Sequence, residues 1–467
     1  MVFSSLTFLC VFLPAVLVMY NLSKRIAYKN TVLTIASLIF YAWGEPSFII
    51  LLIAATVVNY FIALGIGKAH TTDNKIAARL LIAAAVTFDI LMIGIFKYAA
   101  FILGSINAVF HVSLPVPEIG LPLGISFYTF QILTYVIDVY RKQTPVQRSY
   151  MKFLCFVSMF PQLIAGPIVR YSEVASALND RSVTLDDFAD GSTQFVLGLG
   201  KKVLLANTAG DAKDLLFSAA TSPTVGSSWL GIIFYSLQLY FDFSGYSDMA
   251  IGMGRMLGFK FPKNFDYPYI SRSITEFWRR WHMTLGGFFR DYVYIPLGGN
   301  RCSVPRWLLN TMIVWMLTGL WHGASWNFVI WGLYYGVLLL LEKLLFKNVS
   351  KIPVISNIIT LFLVVIGWGI FYFTDFGELT VFMGRLFGSG VTGGYDMTTV
   401  SVFFANIWLL AACVLVSTPL PYKVFNRLIS IKGIGMLIEG GVMVAIFVAC
   451  VASLAGATSN PFLYFRF

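Results

Sequence analysis

Residues 277–301 read FWRRWHMTLGGFFRDYVYIPLGGNR, and residues 318–335 read TGLWHGASWNFVIWGLYY. The second stretch decides the fold class. It joins an apolar run from Trp307 to Trp321 to another from Trp326 to Leu341, with Gly323, Ala324 and Ser325 between them. Long apolar runs broken by a few small residues predict a helix, a tight turn and a second helix. The His322 imidazole falls at the bend. Two of the chain's four histidines, His282 and His322, lie in this region, each directly preceded by a tryptophan, Trp281 and Trp321. An imidazole titrates near pH 6.5 and so takes and returns a proton around neutrality. Ionisable groups inside a bilayer are expensive and tend to be functional. His322 is therefore a candidate general base; the competing reading is a histidine that caps a helix end against a carbonyl.

Outward from this centre the chain stays apolar. Of 467 residues, 58% are hydrophobic and only 12% charged, far from the usual globular balance. Runs long enough to cross a hydrocarbon core recur from end to end, and no polar region is long enough for a separate soluble domain. The expectation is an all-α integral membrane protein of about 10 to 12 spans, with re-entrant and interfacial helices. It is read as one membrane domain, with N-terminal spans over 1–140, a catalytic core over 141–346, and C-terminal spans and a tail over 347–467.

The formal charge of +11 does not point to nucleic acid. The basic residues sit in short loops between apolar runs, where topology and anionic headgroups account for them. Lys24, Arg25 and Lys29 follow the first run, MVFSSLTFLCVFLPAVLVMY, which lacks a basic leader and reads as a retained anchor. The positive-inside rule then puts both chain ends outside the cytoplasm. Pro161, Gly166 and Pro167 interrupt the apolar stretch 153–170 and predict a bent or re-entrant element. A polar interval follows over 171–190, then an amphipathic segment 194–202 ending in a lysine pair at the cytoplasmic surface. The five cysteines, Cys10, Cys155, Cys302, Cys413 and Cys450, show no metal or disulfide spacing, so no bound metal or cofactor is expected.

Three features of the charged residues need an account. Asp242 and Asp248 lie in an apolar run that ends near Arg255, and either pair with that arginine or with backbone amides, or orient a catalytic histidine or a substrate hydroxyl. Residues 259–306 interleave basic residues, among them Arg279, Arg280, Arg290 and Arg301, with aromatics, as interfacial helices do. They form a solvated basic face or receive the phosphates of an acyl donor such as a coenzyme A thioester, since arginine forks grip phosphate in two places. Third, if Arg306 is cytoplasmic, a helix of fifteen residues at about 1.5 Å each rises only about 22 Å, which leaves His322 inside the membrane.

The segment FSGYSDMAIGMGRMLGFKFPKNFDYPY from Phe243, the block from Phe277 to Arg301 and GLWHGASWNF from Gly319 together resemble the membrane-bound O-acyltransferase family. Within it they are most similar to the branch that O-acetylates bacterial polysaccharides such as alginate and peptidoglycan. The resemblance implies a helical fold around a tunnel, with His322 at the position of the essential histidine and His282 at that of a supporting one. Trp281, Trp321, Asp242 and Asp248 are supporting or substrate-lining candidates. Phe462, Tyr464 and Phe467, in the tail FLYFRF, look like the C-terminal aromatic motif of this branch. There Tyr464 would be an acyl relay, against the plainer reading of an interfacial anchor. The D-alanyl transferases of teichoic acid are relatives, but LGGNR at Leu297–Arg301 looks more like the O-acetylation branch.

The expected chemistry follows. Acetyl from a cytoplasmic donor, most simply acetyl-CoA, reaches His322, which removes the proton of an attacking hydroxyl, a contribution of about 10²- to 10⁴-fold. Tyr464 is the candidate hydroxyl. With no GxSxG elbow in the chain, an SGNH-like extracytoplasmic transferase or cell-wall modification complex is the expected partner for delivery to the polysaccharide. Rival readings are an ion or solute transporter using Asp89, Lys97, Asp242, Asp248 and the histidines, and an assembly scaffold.

Overall fold

The computed structural model describes residues 1–218, 223–345, 352–431, 433–456 and 463. Among the described residues every regular element is helical. The α-helices are α1 (Leu13–Asn21), α2 (Ile26–Gly44), α3 (Ile49–Thr71), α4 (Lys75–Ile93), α5 (Ala99–Phe110), α6 (Ile125–Tyr140), α7 (Tyr150–Ser158), α8 (Phe160–Leu163), α9 (Tyr171–Asn179), α10 (Leu185–Gly200) and α11 (Thr208–Phe217). They continue with α12 (Val225–Met256), α13 (Ile274–Arg280), α14 (Met283–Phe288), α15 (Val304–His322), α16 (Trp326–Leu344), α17 (Pro353–Tyr372), α18 (Phe376–Leu386), α19 (Met397–Ala405), α20 (Ile407–Val416), α21 (Leu420–Ile429) and α22 (Gly435–Gly456).

Among the described residues five helical segments are long and apolar enough to cross a membrane, or six if the pair α19 and α20, bent by 55°, counts as one broken span. The sequence expects more because it scores every apolar run. Several of those runs fold as shorter helices. The N-terminal run, for example, becomes a five-residue π turn and the nine-residue α1. Large apolar side chains such as Met436, Leu437, Val444 and Val448 of α22 are exposed, as suits a surface whose solvent is lipid.

The chain forms two compact units. The first comprises Met1–Phe195 and Asp248–Pro262. In it α3 packs against α4, α6 and α7, and α2 against α7. The buried side of α3 carries Ala55, Thr56, Ala63 and Ala69, small residues that let helices approach closely where lipid offers no hydrophobic drive. The expected break falls between α7 and α8, where Met159 leaves helical geometry. The polar interval 171–190 contains α9, capped by Glu173, whose carboxylate accepts from Arg170 N at 2.8 Å. Arg255 pairs with Asp190 at 2.6 Å and Asp187 at 3.5 Å, not with Asp242 or Asp248.

The second unit comprises Val196–Ser247 and Lys263–Phe467. The lysine pair read as a cytoplasmic surface feature is different here. Lys202 lies in a π turn over Lys201–Asn207 and is only 2% exposed. Gly245 makes this possible: a Cβ there would stand 2.7 Å from Gly198 O and 3.0 Å from Lys202 N. That close approach brings Lys202 Nζ to 2.7 Å from Asp242 Oδ1.

Candidate active site

Helices α15 and α16 form the expected hairpin, with residues 323–325 as its turn. The first helix starts at Val304, three residues before the apolar run, with proline in its first turn, where a missing N–H is harmless. Gly319 and Gly332 set the hairpin's tightness. A Cβ on Gly319 would run into the Phe328 carbonyl, and one on Gly332 into that of Trp315. The backbones therefore touch, as small residues permit. Gly323 has a similar role, since a Cβ there would overlap the Phe328 ring. His322, the last residue of α15, is 4% exposed. It is boxed by the rings of Trp321, Trp331 and Phe371 at 4.9, 5.1 and 5.2 Å between centroids.

His282 is reached by a different route. It joins α13 to α14 in the left-handed region, φ 44°, a conformation that costs a non-glycine residue about 1 to 3 kcal/mol and persists where surrounding contacts hold it. Asn264 supplies those contacts. Its Oδ1 lies 3.1 Å from His282 Nδ1 and accepts from Thr284 N at 3.2 Å and Thr284 Oγ1 at 2.9 Å, while its backbone carbonyl accepts from Met283 N at 2.9 Å. Its Nδ2 donates to Ser247 Oγ at 3.0 Å. Because the Thr284 amide can only donate, the Asn264 oxygen is the acceptor, so His282 Nδ1 carries the proton and Nε2 is the basic nitrogen. Burial pushes this imidazole down to about 3, which keeps it neutral near pH 7. Phe243 packs edge-on at 4.7 Å, and the Trp321 indole lies 5.6 Å away. One indole thus touches both imidazoles.

Both histidines line a single cavity of about 790 Å³ within the second unit. Its wall along α15 is Trp307, Thr311, Val314, Trp315, Thr318 and His322, the i, i+3, i+4 stripe of one helix face. From Trp307 to His322 that face rises about 22 Å. At the Trp307 end the wall includes Lys343, whose ammonium lies 4.2 Å over the Trp307 ring, together with Glu342. Arg272 and Arg290 also line the cavity. Glu342 is occupied: it accepts from Ile274 N at 2.6 Å and Thr275 N at 3.3 Å, holding the start of α13. Arg290 grips Asp291 at 2.6 and 3.0 Å. Neither Arg272 nor Lys343 is in an ion pair among the described residues.

The remaining sequence candidates scatter. Trp281 lines the cavity, while Trp321 stands behind the two imidazoles. Arg279 and Arg301 are exposed and outside the lining. Arg280 is held by Glu276 at 2.9 Å and Asp266 at 3.5 Å. Asp242 faces Lys202 and accepts from Leu463 N at 2.9 Å. Asp248 belongs to the first unit, 3.5 Å from Gln194 Nε2. Tyr464 lies outside the described residues. Among the described residues no cluster of His, Cys, Asp or Glu is arranged to hold a metal. Sequence reasoning gave no role to Asn264, although it lies inside the motif from Phe243. It gave none to Lys343 either; the stripe from Trp307 to Thr318 is the available signal for a lined helix face.

Residues 139–379 match the model of the membrane-bound O-acyltransferase family. The probable alginate O-acetylase AlgI of Pseudomonas putida is 40% identical over 100% of both chains. The chain belongs to the membrane-bound O-acyltransferase family. Its members are acyltransferases, so the transporter and scaffold readings give way to an enzyme. The AlgI protein of Pseudomonas aeruginosa is 48% identical over 79% of this acyltransferase and 72% of its own length. The peptidoglycan O-acetyltransferase of Helicobacter pylori is 36% identical over 73% of this chain and 70% of its own. The teichoic acid D-alanyltransferase of Bacillus subtilis is 32% identical over 46% of this chain and 58% of its own. In this acyltransferase one cavity is lined by Arg272 and Lys343 and by both imidazoles.

Proposed function

We propose that this acyltransferase moves an acetyl group from a cytoplasmic thioester, acetyl-CoA, to a hydroxyl presented from the other side of the membrane, for O-acetylation of an extracytoplasmic cell-wall polysaccharide or exopolysaccharide. The observation that carries the reading is the cavity that runs along α15 from Lys343 and Arg272 to His282 and His322. Phosphates at the cationic end and the carbonyl at the imidazoles would separate charge from chemistry by the rise of one helix face. His322 takes the proton as the hydroxyl oxygen attacks the thioester carbon; the tetrahedral adduct then expels the thiolate, which receives that proton. His282, held in one tautomer by Asn264, is the supporting histidine, with Nε2 unprotonated and able only to accept a hydrogen bond. The nearer relatives favour acetyl over D-alanyl transfer, since the O-acetylases align over much more of the chain.

In this reading Arg306 faces the cytoplasm, both chain ends face outward, and Tyr464 takes the acetyl group for a separate SGNH-like transferase. The bond from Leu463 N to Asp242 Oδ2 supports a tail held by the protein one residue before that tyrosine. Residues 141–346 form the catalytic core of one membrane domain, with α17 from the C-terminal spans completing the cavity wall.

The test is label transfer from isotopic acetyl-CoA to the protein in nanodiscs, read by intact mass. Label on the wild type that is lost in His322→Ala and Tyr464→Phe supports the relay; turnover that survives His322→Ala removes the base.

A further inference from the structure

The cavity closes where the chemistry would occur. Helix α16 contributes only Leu338 to Lys343 to its wall, and α17 only Ser356 to Leu363. Beyond those levels both helices are packed shut. Trp331, Trp368 and Phe371 are 0%, 1% and 1% exposed, and their rings pack against one another at 5.3 to 6.1 Å between centroids. Backbone contact at Gly319 and Gly332 leaves no crevice between α15 and α16 at this height. A donor whose arm fills the shaft from the cationic end must point its acyl group toward this floor.

We propose that Trp331 and Phe371 are specificity-determining residues that measure the acyl chain and admit only an acetyl-sized group. The inference rests on the donor reading above for the direction of entry. Any further methylene would need the volume these two rings occupy beside His322, and rigid cores do not yield such volume cheaply. One methylene in a fitted apolar pocket discriminates by about 10- to 200-fold.

The experiment measures His322-dependent turnover of acetyl, propionyl and butyryl groups by the protein in nanodiscs. Each group is offered both as its CoA thioester and as its p-nitrophenyl ester. The variants are Phe371→Leu and Trp331→Phe, which keep a large apolar side chain at each place, with Lys343→Met as a variant remote from the floor; a thermal unfolding curve for each confirms folding. The expected result is a wild-type loss of at least about 10-fold per added methylene, a propionyl-to-acetyl ratio raised about 10-fold in at least one floor variant, and no change of ratio in Lys343→Met. Equal wild-type rates across the three chain lengths, or a cutoff unmoved in both folded floor variants, overturns the proposal. A cutoff seen with the esters but no turnover of any CoA thioester removes the donor reading and leaves the floor standing. Absence of His322-dependent turnover in both series overturns the floor together with the acyl site.

Discussion

Asn264 Oδ1 lies 3.1 Å from His282 Nδ1 while also accepting from the Thr284 amide and hydroxyl. One side chain therefore fixes both the tautomer of the imidazole and the left-handed turn that aims it. Asn264→Ala removes the three acceptor contacts at once. The expected effect is a fall in kcat of about 10- to 100-fold, the usual scale for a residue that orients another, with donor KM nearly unchanged. Steady-state kinetics checks this; an unchanged kcat in a folded variant would mean the imidazole needs no such support.

Burial of His282 also has a consequence for stability. Its folded value, about 3, lies below the unfolded value of about 6.5, so the native state resists protonation. The sign follows from linkage: the stability associated with the neutral ring is complete above about pH 6.5 and is lost progressively as pH falls toward 3. Thermal midpoints of the wild type should decline through that window, and His282→Gln should decline less. Parallel curves for the two proteins would show that the ring is not held neutral.

The two cations at the cavity mouth that lack an ion-pair partner among the described residues should act on donor binding alone. Arg272→Met and Lys343→Met are each expected to raise donor KM by about 10-fold or more, from the loss of a charge-assisted contact of about 1.5 to 3 kcal/mol, with kcat little changed. Arg279→Met and Arg301→Met, exposed and away from the wall, are expected to leave KM within about twofold. A KM effect at Arg279 or Arg301 equal to that at Lys343 would place the donor elsewhere.

Lys202 and Asp242 form a buried ion pair, and such pairs are costly to break from one side. Lys202→Met or Asp242→Leu alone should lower stability by about 3 to 5 kcal/mol, and the double replacement by less than either, since no uncompensated charge remains. A double-mutant cycle on unfolding free energies reads the coupling directly. Additive losses would show that the pair is not a unit.

Much of the architecture follows from local properties of the chain. The apolar runs, the small residues at 323–325 and the proline breaks near 161 determine an all-helical membrane protein with a hairpin whose first helix ends in Trp321 and His322, because span length and helix termination depend on residues a few positions apart. The resemblance of three long motifs placed it in its family for the same reason, that a motif is contiguous. Tertiary structure alone decided which charges meet. Sequence spacing offered Arg255 as the partner of Asp242 or Asp248, but Gly245 lets a neighbouring turn approach and Lys202 takes Asp242 instead. Of four arginines in the central block, only Arg290 reaches the cavity, joined there by Arg272 and Lys343. Asn264 clamps His282 across a turn whose course no periodicity reports. Distances between side chains brought together by packing are set by the summed geometry of every helix between them, and no local signal in the sequence carries that sum.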